Sequence, residues 1–143
     1  MPDYIVTYDT PPRVEVLKPW GKYQDLFRLG GCVFKIIEVA PDQRLSLQRH
    51  EKRGEVWIVL SGRGWAEIYT ESVLKGLMLE RKYLLLPGAK VEIKPNEVHR
   101  LSAGSEGIVV AELQYGECFE DDIVRLEDDY GRMASDRNLS ARD

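Results

Sequence analysis

The chain has two histidines, His50 and His99, and both stand in company that could bind a metal. His50 closes the triplet Gln48-Arg49-His50, with Glu55 shortly after it and His99 further along the sequence. The surrounding stretches, 45–62 and 87–104, are bounded by turn residues and threaded with alternating apolar positions, which is how strands read. On a strand, side chains alternate between faces, so Gln48 and His50 share one face and Arg49 takes the other. An amide oxygen, two imidazoles and a carboxylate could then converge inside a barrel. Such a nitrogen and oxygen set suits one divalent ion, Zn²⁺ or else Fe²⁺, Mn²⁺, Co²⁺ or Ni²⁺, with no thiolate to favour softer metals. It would also leave open positions for substrate oxygens. The plainer alternative is a pair of exposed or hydrogen-bonded histidines, and spacing is what weighs against it.

The elements that would carry these residues are short strands, expected at about 33–40, 44–50, 54–61, 64–70, 73–79, 82–86, 90–94, 98–103 and 107–115. Pro41-Asp42 and Ser61-Gly62-Arg63-Gly64 read as tight turns, and Glu71-Ser72 with Gly76 as a hairpin of unfixed register. No long helix is expected. Many short strands at this spacing predict an all-β sandwich or barrel. Residues 1–13 read as an N-terminal arm ended by Pro11-Pro12, 14–132 as the single domain and 133–143 as a solvated tail.

Composition narrows the partners. A 143-residue chain of net charge −4, with acidic and basic residues mixed throughout, lacks the clustered Lys and Arg of a nucleic-acid surface. No stretch approaches the length of a membrane span and no basic start leads into an apolar run, so the expected location is the cytoplasm. Cys32 and Cys118 form no CxxC unit and are expected as free thiols. Lys35, Arg49, Arg53, Arg100, Arg125 and Arg132 are the cations near the site, with a solvated sheet edge as the plain alternative for each. Parity turns Arg49 and Arg100 away from the metal side, while Lys35 shares its parity with Ile37 and Val39.

The spacing matches the two cupin motifs. The first, His-x-His, then Glu, then Gly, is met by Gln48, His50, Glu55 and Gly62; the second, Pro-x-Gly-x-x-His-x-x-x-Asn, by Pro95 and His99 with Asn96 in the Gly place and Ala103 at the Asn place. With Gln48 inside LSLQRHEKRGEVW, the chain resembles the C-terminal domain of type II mannose-6-phosphate isomerases, often fused to mannose-1-phosphate guanylyltransferase. The likeness extends to KPWGKY (18–23), VFKIIEVAPDQRLSLQRH (33–50) and EDDIVRLEDDYGR (120–132). It departs from the pattern at Val56, Asn96 and Ala103 and in a shorter 116–122 run, departures that bear on activity more than on fold. Val56 should face away from Glu55, and Asn96 should still make a Gly-like turn because Asn tolerates positive φ.

The resemblance implies a double-sheet jelly roll and a metal held by Gln48, His50, Glu55 and His99. It also implies interconversion of mannose 6-phosphate and fructose 6-phosphate. In Arg125-x-x-Asp128-x-x-Gly131-Arg132, similar to the family's R-x-x-D-x-x-G-R, the leading arginine becomes the catalytic candidate, with Asp128 and Arg132 in support. Lys35 and Arg53 are the candidates for binding the sugar phosphate. The base is left open between Glu112, Asp128 and solvent activated at the metal. The alternatives are a non-catalytic metal-binding cupin for a sugar phosphate or nucleotide-sugar, and an accessory partner of a sugar nucleotidyltransferase. A homodimer closed by sheet edges and the arm is expected, since a small jelly roll leaves edges to cover.

Overall fold

The computed structural model describes residues 15–30, 32–119 and 121–133, and every regular element among them is a strand. In chain order these are β1 (Glu15–Lys18), β2 (Gly21–Leu29), β3 (Cys32–Val39), β4 (Leu47–Arg49), β5 (Arg53–Ser72), β6 (Gly76–Leu85), β7 (Lys90–Ile93), β8 (Val98–Gly116) and β9 (Val124–Glu127). The all-β double-sheet jelly roll expected from the sequence is what forms. The 1–13 arm and residues 134–143 of the tail lie outside the described residues. No helix long and apolar enough to cross a membrane occurs among the described residues.

Two strands are much longer than the sequence suggested, and they make the fold. Residues 54–61 and 64–70, expected as separate strands, form one β5; 98–103 and 107–115 likewise merge into β8. The first half of β5 pairs with the second half of β8, and the second half of β5 with the first half of β8. One sheet therefore runs β1, β2, β3, β8, β5, β7 and the other β9, β4, β8, β5, β6. The expected tight turn at 61–64 is instead the corner where β5 passes between sheets, with register shifts on both sides of Gly62. Glycine is required there by contact: a Cβ on Gly62 would collide with the carbonyl of Gly107, which itself has a φ of 76°.

The remaining differences are local. β1, β2 and β9 were not foreseen. The strands expected at 73–79 and 82–86 are one β6, which starts only at Gly76 because Ser72 pairs with Gly76 and leaves 73–75 as the hairpin tip. Asp42 adopts a φ of 60° and Gln43 N donates to Ala40 O at 3.0 Å, so the Pro41-Asp42 turn is as read.

Between the sheets lies a core that includes Trp20, Ile37, Val39, Val59, Ile68 and Ile108. Strict alternation on β3 buries Val33, Lys35, Ile37 and Val39 along one face, so Lys35 enters the interior on the same parity as its apolar neighbours.

Candidate metal centre

Three strands, β4, β5 and β8, bring the expected ligands together in this interior. Gln48 lies on β4, opposite His99 on β8 and opposite Arg125 on β9. His50 follows β4 directly, and Glu55 lies near the start of β5, paired with Gln114 of β8. Gln48, His50, Glu55 and His99 are all buried, and one ligand atom from each of His50, Glu55 and His99 lies within 4.8 Å of the others. Arg49 points the other way, to Glu71 on the surface at 2.8 Å, as its parity requires.

Hydrogen bonds fix which ring nitrogens face inward. His50 Nδ1 lies 2.7 Å from the Asp122 carbonyl and His99 Nδ1 lies 2.8 Å from the Glu97 carbonyl. A carbonyl only accepts, so each Nδ1 carries a proton, and a neutral ring then has its lone pair on Nε2. His50 Nε2 then sits 2.9 Å from Glu55 Oε1 and His99 Nε2 sits 3.9 Å from Glu55 Oε2. Lone pairs this close to a carboxylate call for a cation or a proton between them. Gln48 Oε1 and His99 Nε2 are buried without a hydrogen-bond partner, which is the state of donor atoms in a metal site. The residues present fit a divalent ion.

Electrostatics agree. Burial pushes His99 down to a pKa of about 4, so its ring is neutral at ordinary pH. Burial would raise Glu55, but His50 and a hydrogen bond from Glu112 hold its pKa well below the usual carboxylate range. Glu112 goes the opposite way: burial, and then the charge of Glu55, raise it well above that range. Of this touching pair, Glu112 holds the proton and Glu55 is ionised. Trp57 Nε1 bridges them, donating to Glu55 Oε2 at 2.9 Å and to Glu112 Oε1 at 3.3 Å.

Around the ligands is a cavity whose lining includes Lys35, Arg53, Glu112 and Gln114 together with Trp20 and Tyr23. Lys35 and Arg53 are therefore brought to the site as expected, and neither is a solvated edge residue. Lys35 Nζ lies 4.3 Å from the Tyr23 ring centre and 3.8 Å from Asp25 Oδ1. Arg53 donates to the Phe119 carbonyl at 3.0 Å and to Glu55 Oε1 at 3.4 Å. Only about 20 Å³ of the cavity is wide enough to take the centre of a water molecule.

The C-terminal candidates separate. Arg125 pairs in register with Gln48, and its Nε and Nη2 are buried, but it does not line the cavity. Asp128 and Arg132 do not reach the cavity either: both are buried against each other, with Arg132 Nη2 2.9 Å from Asp128 Oδ1. Both Asp128 oxygens accept from the Arg132 guanidinium, Oδ2 from Nε at 3.1 Å and Oδ1 from Nη2 at 2.9 Å. Arg100, also read as a possible edge cation, is buried and donates to the Leu45 carbonyl at 3.0 Å and to Glu127. With Arg44 bound to Asp129 through both oxygens, it fastens β9 and the following turn to the sheet.

Val56 turns away from the site, and Asn96 adopts a φ of 68° while its N–H donates to the His50 carbonyl at 2.7 Å. The residue that sequence reasoning passed over is Asp122. Its carbonyl orients His50, and its carboxylate accepts from the Glu51 and Lys52 amides, both at 2.9 Å. Burial would raise its pKa, but those two amides bring it below the usual range. The paired aspartates at 121–122 were visible in the sequence, yet nothing local showed that the second reaches across to residues 50–52.

Comparison with known proteins places the chain. The family model described as "Mannose-6-phosphate isomerase C-terminal" matches residues 9–128. The alginate biosynthesis protein AlgA of Pseudomonas aeruginosa is 38% identical over 128 residues, covering 88% of this chain and 24% of that protein. The mannose-1-phosphate guanylyltransferase RfbM of Salmonella typhimurium is 36% identical, covering 79% and 22%. The chain thus spans about a quarter of the length of the curated relatives it matches. Among solved structures, a cupin-2 domain from Rhodospirillum rubrum has a TM-score of 0.60 at 18% identity, covering 81% of this chain and 82% of that one. The capsular polysaccharide assembling protein CapF from Staphylococcus aureus has a TM-score of 0.68 at 15% identity, covering 83% and 35%. These two likenesses establish the cupin fold, and the match of sequence over most of its length makes the chain a member of the mannose-6-phosphate isomerase C-terminal family.

Proposed function

We propose that this chain is a metal-dependent isomerase interconverting mannose 6-phosphate and fructose 6-phosphate, with Gln48, His50, Glu55 and His99 holding one divalent ion. The observation that carries this reading is the buried pair of inward Nε2 atoms of His50 and His99 on either side of an ionised Glu55, next to a second carboxyl that keeps its proton. Moving an aldose to a ketose transfers a proton between adjacent carbons through an enediolate. A bound divalent ion would supply positive charge at the two sugar oxygens.

The chain's own groups supply the rest. Glu112 is the buried carboxyl best placed to exchange a proton with the substrate, since it lines the cavity and touches the ligand Glu55. Lys35 brings an ammonium to the same wall and Arg53 a guanidinium, so the anionic substrate meets fixed cations in a water-poor site. Trp20 and Tyr23 line the same cavity and are buried, with Tyr23 against Lys35, so they help to exclude solvent. Arg125, on the inward row with Gln48 and His99, is the arginine assigned to the phosphate or the enediolate.

The test is to incubate the purified protein with mannose 6-phosphate and each divalent metal in turn, detecting fructose 6-phosphate. Turnover should appear with at least one metal, and Arg125→Ala should lower it on the order of a hundredfold with metal content unchanged. Absence of product with every metal would overturn the isomerase. One observation favours the second reading, a metal-holding sugar-phosphate binder without turnover: the narrow cavity, which would have to widen before a hexose could lie across it. Calorimetric binding of mannose 6-phosphate without conversion would establish that reading.

A further inference from the structure

β6 is an edge with an unusual surface. Among the described residues it pairs only with β5, so its other side presents unpaired backbone groups. Four of its side chains, Met78, Leu79, Tyr83 and Leu84, are large, apolar and exposed. An edge of ten residues with this composition is the kind that natural proteins cover or blunt, because it is a template for another strand.

The charges on this edge are self-complementary. β6 pairs with β5 as Arg81 opposite Ile68 and Leu79 opposite Tyr69, so Glu80 is bulged and the alternation of faces shifts across it. Ala66 and Ile68 are buried, so their partners Tyr83 and Arg81 share the core-facing side; Leu84, Lys82 and, past the bulge, Leu79 and Leu77 share the outer side. Consider a second β6 brought alongside, antiparallel, by a two-fold axis perpendicular to the sheet. Opposed residues must then share a face.

Away from the bulge, a register with Glu80 at its centre satisfies that condition on both copies. It sets Glu80 of each copy against Arg81 of the other, Met78 against Tyr83, Leu77 against Leu84, and Leu79 against the stem of Lys82. We infer that β6 is the interface of a symmetric dimer of this chain, joining the two β6-edged sheets into one continuous sheet. Two ion pairs sit at its centre with apolar pairs on each side. Arg81 already lies 2.9 Å from Glu97, so in the dimer its guanidinium is held between Glu97 of its own chain and Glu80 of the second copy. A bulge alone would blunt an edge, but here the two-fold sets the bulges back to back, where the charge of one answers the other.

Sedimentation of the full chain tests this directly. The wild type should be a dimer, and Leu84→Asp should shift it to monomer with its strand spectrum retained. The register has its own test. Opposed residues in an antiparallel pair approach closely enough for a disulfide, so Met78→Cys combined with Tyr83→Cys should give a covalent dimer on mild oxidation with oxidised glutathione. Either single variant should crosslink no more than the wild type with its own Cys32 and Cys118. A wild type that stays monomeric at every concentration, its edge left to another protein or to residues 1–14, overturns the inference. So does a dimer that Leu84→Asp leaves intact and the paired cysteines fail to link.

Discussion

Replacing Gln48 with leucine should move stability and metal affinity in opposite directions. The Gln48 amide oxygen is buried and accepts no hydrogen bond, so the metal-free protein bears the cost of desolvating an acceptor with nothing in return. That cost is about 1–3 kcal/mol for a neutral polar group. Leucine is of similar volume and fills the site without the polar atom, so the chelator-treated variant should be the more stable protein. For a domain of this size each kcal/mol shifts the melting temperature by about 3 °C, so the expected rise is roughly 3–9 °C. With metal present the sign reverses. A ligand is lost, and since removing even a partner that only orients a ligand weakens metal affinity about 10–100-fold, the loss here should be at least tenfold. The assay is thermal melting after chelation and again with added Zn²⁺ or Mn²⁺, alongside competition with a chelating dye. The metal-induced rise in melting temperature should shrink, because stabilisation by a ligand follows the logarithm of its concentration over its dissociation constant. A variant less stable than wild type without metal, and equal to it in affinity, would show that the amide oxygen does not face a metal.

Three further outcomes follow from individual residues. His99 is held near a pKa of about 4 in the fold against 6.5 when free, so between those values the unfolded chain binds the extra proton and the metal-free protein loses roughly 3 kcal/mol as pH falls from 6.5 to 4; urea unfolding at both ends should show that slope reduced in His99→Gln. Asp128→Asn removes the charge facing the buried Arg132 and should cost about 3 kcal/mol or more in denaturant titration, while metal content by elemental analysis stays at the wild-type level. Asn96→Ala places a Cβ-constrained residue at a φ of 68° and should lower stability by about 1 kcal/mol in melting, whereas Asn96→Gly should be close to neutral.

What the sequence determined by itself was the set of residues that could bind a metal and the face each would occupy. Alternation is a property of the strand alone, so Gln48 and His50 inward, Arg49 outward and Lys35 among Ile37 and Val39 could all be read before any contact was known. The positive φ of Asn96 was equally local, a matter of what one side chain tolerates. The boundaries of β5 and β8 were not, because the glycines at 62 and 107 look the same whether a chain reverses or merely bends. Only the close approach of those two strands makes the corner. The fates of the charged residues were also tertiary. Asp128 reads as a supporting catalytic carboxylate and is held by Arg132, Arg100 reads as an edge cation and is buried against the Leu45 carbonyl, and Asp122, given no role by the sequence, aims His50 from across the fold. A charge buried by folding must find a partner, and that partner can come from anywhere in the chain, so its role follows from long-range packing that no local pattern encodes.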